Sequence, residues 1–180
     1  NDAYAYAKRG MLVHLQALNE NGLINYTYCL PANIYGAYDN FHPMHSHVVP
    51  SLIRRFCESV EEGKDSINIW GDGSAKRDFL YIEDCIAAMI LLCNTRFNGV
   101  VNVSTGKLTS IKTLAEEIKK ASDFNGRICW DTTFPTGQTS RLFDSTKMNK
   151  LGWTHRTSFE EGIVSTVNWF KKNKRDIRER

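Results

Sequence analysis

The chain has 180 residues, a formal net charge of +3, 42% hydrophobic residues and 24% charged ones. That composition belongs to a globular protein with a sizeable core, either one domain or part of a larger one. The charge is too small to point to nucleic acid, no apolar run approaches membrane-spanning length, and the start NDAYAYAKRG lacks the apolar centre of a signal peptide.

Residues 3 to 20 read as a helix, with Met11, Leu12, Leu15 and Leu18 at helical spacing and Asn21-Gly22 as the stop. INYTYCL, Ile24 to Leu30, alternates like a strand that ends at Pro31. An irregular stretch, PANIYGAYDNFHPMHS, follows. Helical periodicity resumes in HVVPSLIRRFCESV, where Pro50 is acceptable only near the start. SINIW is a short strand, GDGSAK a turn and DFLYI a further strand. A helix then runs from Glu83 to about Cys93, and its leading Glu83 and Asp84 suit the positive end of the helix dipole. GVVNVS reads as a buried strand, SIKTLAEEIKKASDF as an amphipathic helix begun by Ser110, and RICWD as a strand. DSTKMNKLGW gives a short helix stopped by Gly152, and a Ser158/Glu161 capping box opens the last helix. The basic end KKNKRDIRER reads as a solvated helix terminus. Strands alternating with helices argue for α/β layering.

No G-x-G-x-x-G or G-x-x-G-x-x-G follows a strand; Gly71 and Gly73 give only G-D-G. The phosphate-cradling turn of a dinucleotide fold is therefore missing from these residues. Cys29, Cys57, Cys85, Cys93 and Cys129 are scattered and show no C-x-x-C spacing. They are expected to be reduced, mostly buried thiols of a cytoplasmic protein, with no metal site. Tyr4 and Lys8 are four residues apart and share one helix face. An ammonium beside a phenol favours the phenolate, and such a phenol can pass a proton to a sugar oxygen. By spacing alone the pair is either catalytic or two ordinary helix residues.

The segment LPANIYGAYDNFHPMHSHVVPSLIRRF, Leu30 to Phe56, contains D-N-F-H-P-x-x-S-H-V-x-P-x-L-I-R-R-F. It closely resembles the GDP-L-fucose synthase family, the GDP-4-keto-6-deoxy-mannose 3,5-epimerase/4-reductases of the extended short-chain dehydrogenase/reductases. The likeness continues through IWGDGSAKRDFLYIEDC, VVNVSTGKLTSIKTLAEEI and LGWTHRTSFEEGIVSTVNWF.

The resemblance implies an α/β fold: the C-terminal part of an extended Rossmann enzyme with a smaller α/β substrate lobe. Residues 1–36 would give the catalytic helix and following strand. Residues 37–180 would form mostly the substrate lobe, interleaved with returning Rossmann elements, and the glycine-rich half would precede the chain. The expected cofactor is NADPH, the substrate a GDP-4-keto-6-deoxy-hexose, and the assembly a cytoplasmic homodimer whose interface includes the first helix. No nucleic acid or membrane partner is expected.

In this comparison Tyr4 is the general acid at the C4 oxygen, and Lys8 holds the nicotinamide ribose. Pro31, Ala32, Asn33 and Ile34 meet the nicotinamide end of the cofactor. His47 matches the acid of C3/C5 epimerisation and also neighbours the cofactor; its bland alternative is a helix-start histidine bonded to backbone. Arg55 matches a substrate-contacting arginine, although helical geometry slightly prefers Arg54. Trp70 and Arg77 match positions gripping the nucleotide, against a core tryptophan and an Arg77/Asp78 surface pair. Arg141 is a further phosphate candidate. Thr136 stands where the family usually has an acidic residue, and Ala37 where it has proline. A relative that only reduces C4, a nucleotide-sugar 4-epimerase and a non-catalytic nucleotide-sugar-binding piece all stay open.

Overall fold

The computed structural model describes residues 2–134 and 138–174. The first helix, α1 (Asp2–Glu20), leads to the strands β1 (Thr27–Pro31) and β2 (Asn33–Tyr35) and the helix α2 (Val48–Glu61). Next come β3 (Ser66–Trp70), β4 (Lys76–Arg77), β5 (Phe79–Tyr81) and α3 (Ile82–Asn94). They are followed by β6 (Gly99–Val103), β7 (Thr109–Ser110), α4 (Ile111–Ser122) and β8 (Arg127–Asp131). The described chain closes with β9 (Ser140–Arg141), α5 (Thr146–Lys150) and α6 (Phe159–Asn173).

Parallel pairing dominates. β1 lies along β6, β2 along β5 and β3 along β8, all parallel. β4 is the middle strand of a small sheet, antiparallel to β7 and parallel to β9. Parallel neighbours need long crossovers, and the intervening helices supply them.

Helix faces explain the packing. On α2, Val49, Leu52, Ile53, Phe56 and Cys57 recur at helical spacing and are buried. Pro50 is harmless there, because the first turn has no intrahelical partner for its nitrogen. On α4, Leu114, Ala115 and Ile118 face inward, and on α6 Ile163, Val167 and Phe170 do the same. These three faces close over Ile67 and Ile69 of β3 in one buried cluster. A second cluster joins Val101 and Val103 of β6 to Cys85, Ala88 and Leu92 of α3, with Met148 and Trp153. Each cluster draws on segments far apart in sequence, so neither can be cut out as a continuous stretch.

Helix ends match their residues. Ser110 caps α4 by accepting the Thr113 N–H at 3.0 Å. Ser158 and Glu161 make the reciprocal capping box of α6. Beyond Asn21, Gly22 takes φ +70°, and the Leu23 N–H closes on the Leu18 carbonyl. By contrast, α1 buries none of its residues: Met11 is exposed, and Leu12, Leu15 and Leu18 are half-buried.

Several expectations need correction. The first strand starts at Thr27 rather than Ile24 and includes Pro31, whose missing N–H costs no bond at a strand end. The stretch expected to be irregular contains β2, and the two-residue strands β7 and β9 gave no alternation to detect. Cysteines are less buried than expected: Cys57 and Cys85 are buried, but Cys93 and Cys129 are exposed. Asp78 forms no surface pair with Arg77. It is fully buried and accepts the Thr105 N–H at 3.1 Å, the Thr105 hydroxyl at 2.7 Å and the Gly106 N–H at 3.0 Å. The basic tail beyond residue 174 lies outside the described residues.

Removing the Asp78 carboxylate strands two half-buried backbone donors, those of Thr105 and Gly106. Asp78→Ala in the whole protein should lower unfolding free energy by about 3 kcal/mol. Ser158→Ala, which removes one helix cap, should cost about 1 kcal/mol. Urea denaturation followed by circular dichroism measures both, and equal losses would contradict this account.

Candidate active site

A cleft of about 1550 Å³ opens between the carboxyl ends of β1 and β2 and the start of α2. In sheets of parallel strands this edge is where ligands bind. Tyr4, Lys8, the segment 31–34, His47, Arg55, Trp70, Arg77 and Arg141 all line it. The structure therefore brings every candidate residue of the sequence to a single cavity.

On one wall stands α1. The Tyr28 hydroxyl donates to the Lys8 carbonyl at 3.0 Å and pins the helix to β1. Tyr4 is exposed to the cleft, and the Lys8 ammonium lies over its ring, 5.6 Å from the centroid. Such a contact holds cation and ring together electrostatically. Among the described residues neither the Tyr4 hydroxyl nor the Lys8 ammonium makes a hydrogen bond, and both residues line the cavity.

The floor is the turn after β1. Ala32 donates its N–H to Val103 at 2.9 Å, and Asn33 donates both its backbone and its side-chain N–H to the Asp78 carbonyl, at 3.1 and 2.8 Å. Gly36 then turns the chain outward at φ +149°. A Cβ there would come within 2.3 Å of Ile82 Cγ2, so only glycine fits. The outgoing loop carries Asp39 and ends in His47, which takes the N-cap position of α2 without a side-chain capping bond. The backbone-bonded alternative for His47 therefore does not hold, and its exposed ring is free for the cleft.

Guanidinium groups line the far wall. Arg55 is half-buried and donates to the Asn68 carbonyl, and burial lowers its pKa from the usual arginine value. Arg54 serves the scaffold instead, bonding Glu58 at 2.7 Å and the Phe41 carbonyl at 3.1 Å. Arg77 donates to the carbonyls of Lys76 and Gln138, at 2.7 and 2.6 Å. Its register partner on β9 is Arg141, so the two side chains leave neighbouring strands together. The Arg141 guanidinium lies 5.2 Å from the Phe143 ring. Guanidinium forks placed this way suit the oxygens of a diphosphate.

Trp70 is no core residue. It is 67% exposed at the end of β3, and its ring stacks on Phe134 at 4.6 Å and 16°. Asp39, which lines the cleft, and Phe134, which stacks on Trp70, were not singled out in the sequence. Phe134 gave only a lone aromatic beside P-T-G, and Asp39 lay inside the D-N-F-H-P motif with no role attached. Thr136 lies outside the described residues.

Residues 1–104 match a protein-family model. The chain belongs to the NAD dependent epimerase/dehydratase family. Over 175 residues this epimerase/dehydratase chain is 38% identical to GDP-L-fucose synthase 1 of Arabidopsis thaliana, covering 96% of this chain and 54% of that protein. Its fold matches a GDP-L-fucose synthetase from Naegleria fowleri with a TM-score of 0.91 and 28% identity, over 99% of this chain and 57% of the other. With a GDP-L-fucose synthetase from Naegleria fowleri bound to NADP the TM-score is 0.87 at 30% identity, over 99% of this chain and 58% of the other. The chain thus spans about half the length of the relatives it matches. Its helices and parallel strands form the Rossmann-like α/β architecture of the epimerase/dehydratases.

The geometry of the arginine wall has a direct consequence. Arg77→Ala or Arg141→Ala in the whole protein should each weaken nucleoside diphosphate binding about tenfold, while Arg54→Ala lowers stability and leaves binding unchanged. Calorimetric titration decides it, and an effect confined to Arg54→Ala would contradict the assignment.

Proposed function

We propose that the whole protein is an NADPH-dependent nucleotide-sugar epimerase/reductase. It would convert a GDP-4-keto-6-deoxy-hexose to GDP-L-fucose or a close relative. The observation that carries this reading is the meeting of a tyrosine–lysine pair, a histidine and an arginine wall in one cleft. The names and the NADP complex of the relatives support the sugar and the cofactor.

The cofactor's nicotinamide end fits the residues present. Lys8 offers free N–H donors for ribose hydroxyls, and the segment 31–34 forms the carboxyl edge beside it. When bound, the nicotinamide supplies the hydride for C4. Tyr4 gives its proton to the C4 oxygen as the ketone becomes an alcohol. His47 exchanges a proton with the enolates formed beside the C4 ketone, a task suited to an imidazole near neutrality. Arg55, Arg77 and Arg141 hold the diphosphate, and Trp70 offers its face to the base. Binding energy from the nucleotide end then orients the sugar between Tyr4 and His47.

The division at residue 36 belongs to the same reading, with 1–36 in the Rossmann domain and 37–180 mostly in the substrate lobe. So does a homodimer using α1, whose residues are all exposed or half-buried here. A cytoplasmic location fits five free cysteines and the finding that no described helix is long and apolar enough to cross a membrane.

Turnover of the whole protein in deuterated water with NADPH should place deuterium at C3 and C5 and protium at C4 of the product. Reduction without exchange would leave a C4 reductase only. Tyr4→Phe should slow the reduction by about 100-fold or more, and an unslowed variant would overturn the reading.

A further inference from the structure

The turn after β8 carries an aromatic ring that the reaction above does not use. Trp70 closes β3, and its register partner on β8 is Asp131, which stands shortly before Phe134. The pairing continues beyond the strand, because the Gly71 N–H donates to the Asp131 carbonyl at 2.8 Å. The Asp131 side chain then shapes the turn. Its Oδ1 accepts the Thr133 N–H at 3.0 Å and the Thr133 hydroxyl at 2.5 Å. Those two bonds hold its carboxyl below the usual aspartate range, so the clasp stays ionised at neutral pH. The braced turn lays the Phe134 ring on the indole of Trp70, with centroids 4.6 Å apart and planes 16° from parallel.

The two rings differ in where they stand. Trp70 lines the cleft, whereas Phe134 is outside its lining. Neither ring belongs to a buried cluster, and both are exposed, so core packing does not account for the stack. A tryptophan standing in water has rotamer freedom to lose when a ligand lands on it, and that loss weakens binding. A second ring already stacked on one face removes much of the loss beforehand. The cleft that Trp70 enters also holds Arg77 and Arg141, whose forks suit a diphosphate. A flat indole face beside them suits the base of the same nucleotide.

We propose that Phe134 is the positioning residue of Trp70. It backs the indole on the side away from the cleft, so that the opposite face is presented to the nucleotide base and the base adds as a third layer. The inference rests on the nucleotide-binding role of Trp70 in the proposed reaction. It accounts in one step for the braced turn after β8 and for two large aromatic rings kept stacked in solvent.

Fluorine NMR of the whole protein, labelled with fluorinated tryptophan and assigned with Trp70→Phe, tests the stack before any ligand is added. Phe134→Leu keeps an apolar side chain but removes the flat ring, so the Trp70 resonance should shift. An unmoved resonance overturns the pairing, whatever the affinity. In calorimetric titration Phe134→Leu should bind GDP about fivefold more weakly, and Phe134→Tyr should bind it like the wild type. Both variants should keep the wild-type affinity for inorganic diphosphate, which has no base to stack. Unchanged GDP affinity in Phe134→Leu, or a loss that Phe134→Tyr does not restore, overturns the proposal. An equal loss for GDP and inorganic diphosphate would mark a merely structural residue and also overturn it. Wild-type protein that prefers UDP to GDP would instead sink the GDP reading, and Phe134→Leu would then be judged on UDP by the same criteria. Binding of neither nucleotide overturns both.

Discussion

The Asp78 carboxylate is fully buried and takes three hydrogen bonds from Thr105 and Gly106, while its main-chain carbonyl receives both N–H groups of Asn33. Only an acceptor-only group with several lone pairs can serve that many donors from one position. The residue before it is Arg77, in the wall of the cleft, and its bonding partner Asn33 belongs to the floor. Through its carbonyl this one residue ties the strand carrying a phosphate-binding candidate to the turn expected to meet the nicotinamide. The loop after β6 is held in the same knot. If Asp78 lets go, the two walls of the cleft lose their common reference.

This arrangement gives the two ends of the cleft different chemistry. A phenol and an ammonium on α1 and an imidazole at the start of α2 make no side-chain hydrogen bond among the described residues. Toward β4 and β9 the guanidinium groups of Arg55 and Arg77 are already held by main-chain carbonyls. Fixed donors suit binding, because their orientation is settled before a ligand arrives. Open donors suit proton transfer, because their hydrogens can pass to a substrate rather than to the scaffold. Tyr4 and Lys8 stand on α1, which rests on β1 through Tyr28, whereas Arg55 of α2 and Arg77 of β4 donate to carbonyls of the scaffold.

Much of this was legible in the sequence where residues repeat with a period. The faces of α2, α4 and α6, the Ser110 and Ser158 caps and the strand SINIW all follow from spacing and local chemistry. Two-residue strands such as β7 and β9 carry no period, and β2 hides in a loop rich in turn residues. The site was legible for a different reason. Tyr4/Lys8 and the long motif around His47 form recognisable strings, whereas Asp78 and Phe134 acquire meaning only from partners far along the chain. Asp78 looked like half of a surface ion pair because its sequence neighbour is an arginine, and its real donors are Thr105 and Gly106. Helical arithmetic slightly preferred Arg54 to Arg55, yet Arg54 is engaged by Glu58 and Phe41 while Arg55 lines the cleft.

The central claim is that one cavity holds both the nucleotide and the reacting sugar, with Asp78 fixing the distance between their binding walls. A crystal structure of the whole protein with NADP and a GDP-sugar tests it most directly. The account predicts a diphosphate between Arg55, Arg77 and Arg141, the sugar C4 oxygen within hydrogen-bond reach of Tyr4, and His47 beside C3 or C5. A diphosphate bound away from those arginines, or a sugar turned from Tyr4, would contradict it.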